Sequence, residues 1–322
     1  MQTLRGIMDS ITEKGYSVAR LTKDNLEDIA KLHKEVYNRV PAPDYFPKKY
    51  NTAYTGIEYT GFIAYNHEMI PVAYYGVIPC FIQYGNEIIL AAQSADTMTH
   101  PLHRYKGMFM ELSNMTFALC RELRIRLIFG FPNQNFYKAS ADKWGWQTTD
   151  TLDYFTIPVS GFPLRAVLKK LSPGKLYTTN SAYSTENESV KAAGVSNSVL
   201  ADGFAGIRRD DKYLTYKTYT DTKVVLINNA KVWIRDKDTW LIGDMEGINE
   251  NNFGFVMERL KKMANRSVVG QIQFHCSPGT SLHKFFSKYY EPMKSFPVIF
   301  QDFGSPFPLE KIKFTLADID IF

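Results

Sequence analysis

Thr99-His100-Pro101-Leu102-His103-Arg104-Tyr105-Lys106-Gly107-Met108-Phe109 follows an apolar, strand-like run and leads into an amphipathic helix pattern. A basic turn containing glycine, set at a helix start, is built to hold an anion. The first amides of a helix lack carbonyl partners in their own helix, and the helix dipole favours negative charge there. Gly107 lets the backbone approach a ligand closely.

Outward from this stretch the pattern is regular. Tyr16 to Leu21 reads as a strand, and Thr22, Asp24 and Asn25 supply cap chemistry for a helix carrying Leu26, Ile29, Leu32 and Val36. Pro41, Pro43 and Pro47 are expected to break the chain before Lys48-Lys49-Tyr50. Gly56 to Tyr65, Ile70 to Tyr84 (bent near Pro79) and Ile88 to Thr99 then form a three-stranded meander, turning at Asn66-His67-Glu68 and Gly85-Asn86. Past the basic turn, Phe109, Leu112, Met115, Thr116, Leu119, Cys120 and Leu123 make one apolar stripe. Leu127 to Phe131 is a short buried strand, Phe136 to Trp144 a helix closed by Gly145, and Leu152 to Val159 a strand.

Arg104-Tyr105-Lys106-Gly107-Met108-Phe109 resembles the acyl-CoA signature of the GNAT N-acetyltransferases, Arg/Gln-x-x-Gly-x-Gly/Ala, with Phe109 in place of the last small residue. The element order from Tyr16 to Val159 is that of the same family. The resemblance implies an α/β (α+β, mixed-sheet) acyl-CoA N-acyltransferase fold with acetyl-CoA as cofactor. It implies a pyrophosphate held by the backbone of Tyr105, Lys106, Gly107, Met108 and Phe109, with charge from Arg104 and Lys106. It implies a carbonyl donor from the backbone late in the third meander strand, at Met98 or Thr99, and a pantetheine arm lying like an extra strand beside Leu127 to Phe131. Asn133 matches the family's loop asparagine on that arm, and is equally a turn residue after Pro132.

For a general base the resemblance implies a carboxylate on the meander. Glu58, Asp96 and His100 are available, and Asp96 and Glu58 are preferred. Asp96 shares a strand face with Met98 and His100 by period two. The family's acid tyrosine would fall on Ala141. Tyr137, one helical turn earlier on the same face, substitutes for it, or no protein acid is used. Tyr45, Phe46, Tyr50, Tyr54 and Tyr59 crowd the region where the acceptor is expected; aromatic faces suit a sugar and equally suit packing.

The C-terminal half echoes this order. Val224–Asn228, Val232–Arg235 and Trp240–Met245 form a second meander; Phe253, Val256, Met257, Leu260 and Met263 stripe a helix; Val269 to Phe274 is a strand and Ser281 to Tyr290 a helix. At the turn equivalent to the basic one stands Glu246-Gly-Ile-Asn-Glu-Asn-Asn, whose acidic residues repel a phosphate. The expected division is an N-terminal GNAT domain at 1–160, a connecting basic helix and polar linker at 161–203, and a degenerate GNAT-like domain at 204–322.

Composition narrows the classes. Of 322 residues, 45% are hydrophobic and 22% charged, as in an ordinary globular protein with room for two domains. The net charge of +5 is spread along the chain, which argues against a nucleic-acid partner. Three scattered cysteines, Cys80, Cys120 and Cys276, form neither a disulfide framework nor a metal-ligand spacing and suit a reducing compartment. With no signal-peptide pattern and no apolar run long enough to span a membrane, the expected location is cytoplasmic.

The expected activity is therefore acetyl transfer from acetyl-CoA to a small amine. The two-domain GNAT proteins associated with bacterial surface-polysaccharide synthesis, which this chain resembles in domain arrangement and ending, imply an amino-sugar acceptor, free or nucleotide-linked. The alternatives are a FemABX-like aminoacyl transferase and a GNAT-fold binding protein without catalysis. Some two-domain relatives use a C-terminal carboxylate, which would fall on Phe322.

Overall fold

A computed structural model describes residues 11–132, 137, 145–159, 189–190 and 193–322. The helix expected at Phe136–Trp144, Tyr137 excepted, and the connecting basic helix expected after residue 160 fall outside these residues, and so does Asn133. The chain forms two compact units. The N-terminal unit takes the described residues of Met1–Thr149 with Asp210–Thr220 and Pro297–Ile312; the C-terminal unit takes those of Asp150–Arg209, Asp221–Phe296 and Lys313–Phe322.

In the N-terminal unit β1 (Ser17–Arg20) pairs with β2 (Thr60–Tyr65), β2 with β3 (Pro71–Tyr84) and β3 with β4 (Glu87–Thr99), all antiparallel. β5 (Leu127–Gly130) then pairs parallel to β4. Between β1 and β2 lie α1 (Leu26–Tyr37) and α2 (Tyr45–Tyr50); between β4 and β5 lies α3 (Met108–Glu122). The Thr22 and Asn25 side chains form a reciprocal capping box ahead of α1. Pro47 does not break the chain as expected. It sits in the first turn of α2, where its missing N–H would have had no helical partner. Pro79 is likewise carried within β3, opposite Ala92 and beyond the last residue that β2 pairs.

Helical spacing puts Met108, Leu112, Met115, Leu119 and Cys120 on the buried side of α3, which packs on β2 and β3. The stripe begins at Met108, one residue before Phe109. On the other side of the meander Leu26, Ile29 and Leu32 of α1 join Phe46, Tyr50 and Tyr74 in a second core.

In the C-terminal unit β6 (Gln147–Pro158), most of which belongs here, pairs antiparallel with β12 (Gln271–Cys276). Short β7 (Ser189–Val190) pairs with β9 (Lys223–Ile227), β9 with β10 (Ala230–Asp236) and β10 with β11 (Trp240–Glu246), all antiparallel. β11 runs parallel to β12. Two-residue β8 (Gly206–Ile207) and the short helix α4 (Ser198–Ala201) precede β9, and α5 (Asp211–Tyr216), which belongs to the N-terminal unit, comes between β8 and β9 in the chain. Between β11 and β12 comes α6 (Phe253–Arg266), whose Val256, Met257, Leu260 and Met263 enter one core with Trp240, Ile272 and Phe274. α7 (Ser281–Ser287) follows β12. The last strand, β13 (Met293–Asp302), pairs antiparallel with β5 through Ile299–Asp302 and completes the N-terminal unit. Each half thus contains an antiparallel meander, a helix and a parallel strand, in that order.

Candidate active site

The N-terminal unit has a split in its sheet. β4 and β5 are paired only at Ala91↔Leu127, Ala92↔Ile128 and Gln93↔Phe129. β4 continues to Thr99, whereas β5 ends at Gly130 with β13 on its far edge. Beyond Gln93, no strand of the described residues fills the β5 side of β4. The split coincides with a bulge. Gly76 pairs with Ala95 and Tyr74 with Met98, so Asp96 and Thr97 share the place opposite Tyr75. Asp96 takes φ +48, a left-handed conformation that aspartate tolerates better than most residues.

After the bulge, direction can be read from one bond: the His100 amide donates to the Val72 carbonyl at 2.8 Å. By alternation Met98 also faces β3, while Thr99 turns its N–H to the open side. The Thr99 carbonyl, on that side, accepts from Arg104 Nε at 3.4 Å. Of the two residues expected to offer a carbonyl donor, Thr99 is therefore the one whose amide faces the split; Met98 has its side chain in the core.

The basic turn closes the end of the split. Pro101–His103 makes one 3-10 turn, Tyr105 is left-handed at φ +64 and fully exposed, and Gly107 caps α3 at φ +80. A Cβ on Gly107 would meet nothing nearer than Lys14 Nζ at 3.5 Å, so the cap is open and exposed. Phe109, the departure from the family pattern, packs edge-on against Tyr75 at 5.5 Å. Its ring lies against the core that α3 covers.

Lys106 Nζ donates to the Tyr16 hydroxyl at 3.0 Å, and that hydroxyl lies 2.9 Å from His103 Nδ1. With the imidazole neutral and Nδ1 unprotonated, the Tyr16 hydroxyl accepts from Lys106 and donates to Nδ1. Burial first, then the charges of Lys106 and His100, hold His103 below the ordinary histidine value. Lys14, absent from the sequence reading, adds a third cation: it donates to the Lys106 carbonyl at 3.4 Å and pairs with Glu111, in the first turn of α3, at 2.5 Å.

On the other face of the sheet Asp96 is joined to two side chains of α2. Lys49 Nζ lies 2.7 Å from Asp96 Oδ2, and the Tyr50 hydroxyl donates to the same oxygen at 2.7 Å. Lys49 and Tyr50 are buried; the Asp96 side chain keeps 15% of its surface exposed. Burial first, and Asp96 second, raise the Tyr50 hydroxyl well above the ordinary tyrosine value, so it remains a donor. Both donors go to the same oxygen, Oδ2. Sequence reasoning missed Lys49 as a partner: the run Tyr45-Phe-Pro-Lys-Lys-Tyr50 shows two lysines and nothing local that buries the second.

Other candidates lie apart. Glu58 is exposed just before β2, where burial first and the Glu58 charge second raise the neighbouring Tyr59 hydroxyl. Tyr137 is helical and half-buried, packed against the core beneath α3. Phe46 and Tyr50 are in the core, and the Tyr54 hydroxyl donates to the Pro79 carbonyl at 3.2 Å. These three rings therefore pack the fold. Among the described residues no helix is long and apolar enough to cross a membrane.

The equivalent helix start in the C-terminal unit is closed on itself. Asn249 Oδ1 accepts from the Asn251 and Asn252 amides, Asn252 Oδ1 accepts from the Asn249 amide, and Asn252 Nδ2 donates to the Gly247 carbonyl. Glu246 is paired with Lys231 and Ser196. Burial alone would raise its carboxyl, but these bonds take it down to about 2.

Residues 17–149 match the family model of the acetyltransferase (GNAT) domain. Among curated proteins none matches the sequence. The fold resembles a conserved protein of unknown function from Enterococcus faecalis V583, named as a probable N-acyltransferase, with a TM-score of 0.60 and 12% identity over 89% of this chain and 72% of that one. It also resembles GCN5-related N-acetyltransferases from Kribbella flavida (TM-score 0.57, 12% identity, 89% and 71% covered) and Anabaena variabilis ATCC 29413 (TM-score 0.57, 12% identity, 90% and 73% covered). The mixed α/β, GNAT-like fold expected from the sequence is the fold found.

Proposed function

We propose that this chain is a cytoplasmic acetyl-CoA-dependent N-acetyltransferase acting on a small amine. One observation carries the reading: the sheet splits after Gln93↔Phe129, and the split opens at an uncapped, cationic helix start. The residues present fit acetyl-CoA. Lys14, His103, Arg104 and Lys106 surround a Gly107 cap with room for a phosphate, and Thr99 turns an amide into the split. The bound thioester supplies the acyl group and a thiolate leaving group.

The chain's part is to bind, orient and move protons. The amides and side chains from Arg104 to Phe109 hold the diphosphate, with Asn133 on the pantetheine arm. The Thr99 N–H donates to the oxygen that gains charge. Asp96, fixed by Lys49 and Tyr50, accepts the proton of the incoming ammonium at its exposed edge, with Glu58 as the more distant alternative. Tyr137 is the candidate acid. The acceptor is an amine small enough to reach Asp96, and an amino sugar, free or nucleotide-linked, is the class proposed. The second half, with the same element order, is read as a degenerate copy, which the extent of the structural likeness, about nine-tenths of the chain, supports.

Gly107→Glu tests the reading. It puts a carboxylate at the phosphate seat with free space around its Cβ, so acetyl-CoA binding by calorimetry is lost while the circular dichroism spectrum is kept. Unchanged affinity overturns the seat. Gly107→Ala, which carries the left-handed strain without the charge, retains most of the binding.

A further inference from the structure

The C-terminal unit has its own split, and it is filled. β11 and β12 pair only at Trp240↔Ile272, Leu241↔Gln273 and Ile242↔Phe274, while β11 runs on to Glu246 and β12 to Cys276. At Cys276 one edge of β12 belongs to β6, through Cys276↔Asp153. The other edge, which faces β11 lower down, carries an antiparallel bridge from Cys276 to Thr315. The Ser277 amide donates to the Phe314 carbonyl at 2.9 Å, and the Phe314 amide to Ser277 Oγ at 3.0 Å. The 3-10 turn Leu316–Asp318 packs against both β11 and β12.

Three further holds keep this segment in place. Arg209 reaches Asp244 on β11 at 2.6 Å and Asp318 on the tail at 2.7 Å, with all three side chains fully buried. Phe322 lies over Gly243 so closely that a Cβ there would come within 2.2 Å of the ring, and it meets Trp233 edge-on at 5.4 Å. Phe314, Thr315, Ala317, Asp318 and Phe322 are each at most 1% exposed.

We infer that residues 313–322 are the resident occupant of the cleft between β11 and β12, held there by one antiparallel bridge and a 3-10 turn, and that they close the C-terminal unit to acyl-CoA. The segment takes the position that the open split offers beside β5 in the N-terminal unit. Gly243 is then explained as the residue that admits the Phe322 ring, and the buried Arg209 as the bolt between strand and tail. The comparison rests on the reading of the N-terminal split as an acyl-CoA site; occupancy of the C-terminal cleft does not.

Hydrogen exchange on the full chain tests occupancy directly. The amides of Phe314, Thr315, Asp318 and Ile319 are bonded within this arrangement, so they exchange as slowly as those of β12. Saturating acetyl-CoA leaves their rates unchanged, and calorimetry returns one site per chain. Gly243→Ala crowds Phe322 and speeds exchange across 313–322 at least tenfold, while α3 and β4 keep their protection. Fast exchange of the tail in the wild type, release of the tail by acetyl-CoA, or two sites per chain would overturn the inference. A wild-type chain that binds no acetyl-CoA overturns the proposed function instead, and the exchange rates still decide the occupancy.

Discussion

Asp96, the proposed base, is a residue whose backbone and side chain are both unusual. Its φ of +48 comes from the bulge opposite Tyr75, and its carboxylate is anchored by Lys49 and Tyr50. Asp96→Asn tests the base without disturbing the bulge, because asparagine also accepts the left-handed region. The expected outcome is a fall in kcat/KM of about 100-fold with acetyl-CoA affinity unchanged; equal rates would assign the proton to another group. Lys49→Met removes one half of a buried ion pair. It is expected to lower stability by about 2–4 kcal/mol in urea unfolding, since water reaches Asp96 and recovers part of the full cost. At the other end of the split, His103 is held below its ordinary value by burial and by neighbouring cations. A bound phosphate favours its protonated form, so binding takes up a proton. Acetyl-CoA affinity is then expected to rise as pH falls through the histidine range, and the His103 resonances to titrate at higher pH in the complex.

At the scale of elements, most of the N-terminal half was legible. Period two located β1 to β5, and period 3.6 located α1 and α3, because these patterns depend only on which residues lie on one face. The basic turn was legible too: cations, a glycine and a helix start are neighbours in sequence. Lys49 was not, because its burial depends on aromatic residues of α2 and on a bulge 47 positions away, and neither is written around it. Nor was the C-terminal segment 313–322, whose irregular, bridge-and-turn structure has no period to detect. Arg209 shows how much that segment matters. Arg209→Met would leave Asp244 and Asp318 buried without their counter-charge, at an expected cost of about 3–5 kcal/mol. Urea unfolding followed by the fluorescence of Trp233, whose ring lies 5.7 Å from the guanidinium, measures it; a change below about 1 kcal/mol would mean that the pair is not desolvated.

For the whole molecule, the informative fact is that neither unit is one stretch of chain. The N-terminal unit needs Asp210–Thr220, whose Tyr216 hydroxyl donates to the Lys49 carbonyl at 2.7 Å, and Pro297–Ile312, whose strand covers the edge of β5. A fragment of residues 1–160 contains every residue of the proposed acetyl-CoA seat but lacks both pieces. It is expected to show no cooperative thermal transition and to associate through the bare β5 edge. A monomeric fragment with a sharp transition and full acetyl-CoA affinity would contradict this.

By itself the sequence determined the two meanders, the helices that follow them, the place of the basic turn and the kind of fold, because helix and strand periods, caps and glycine turns are local properties of the chain. Only the tertiary structure decided which edge each strand covers, that Lys49 and Tyr50 close on Asp96, and that the chain's own tail lies in the C-terminal split. The reason is physical. A buried face shows in the sequence, but the identity of its partner does not. The hydrogen-bonding groups along a strand edge are the same in every strand, so which segment pairs there is set by the packing of the whole.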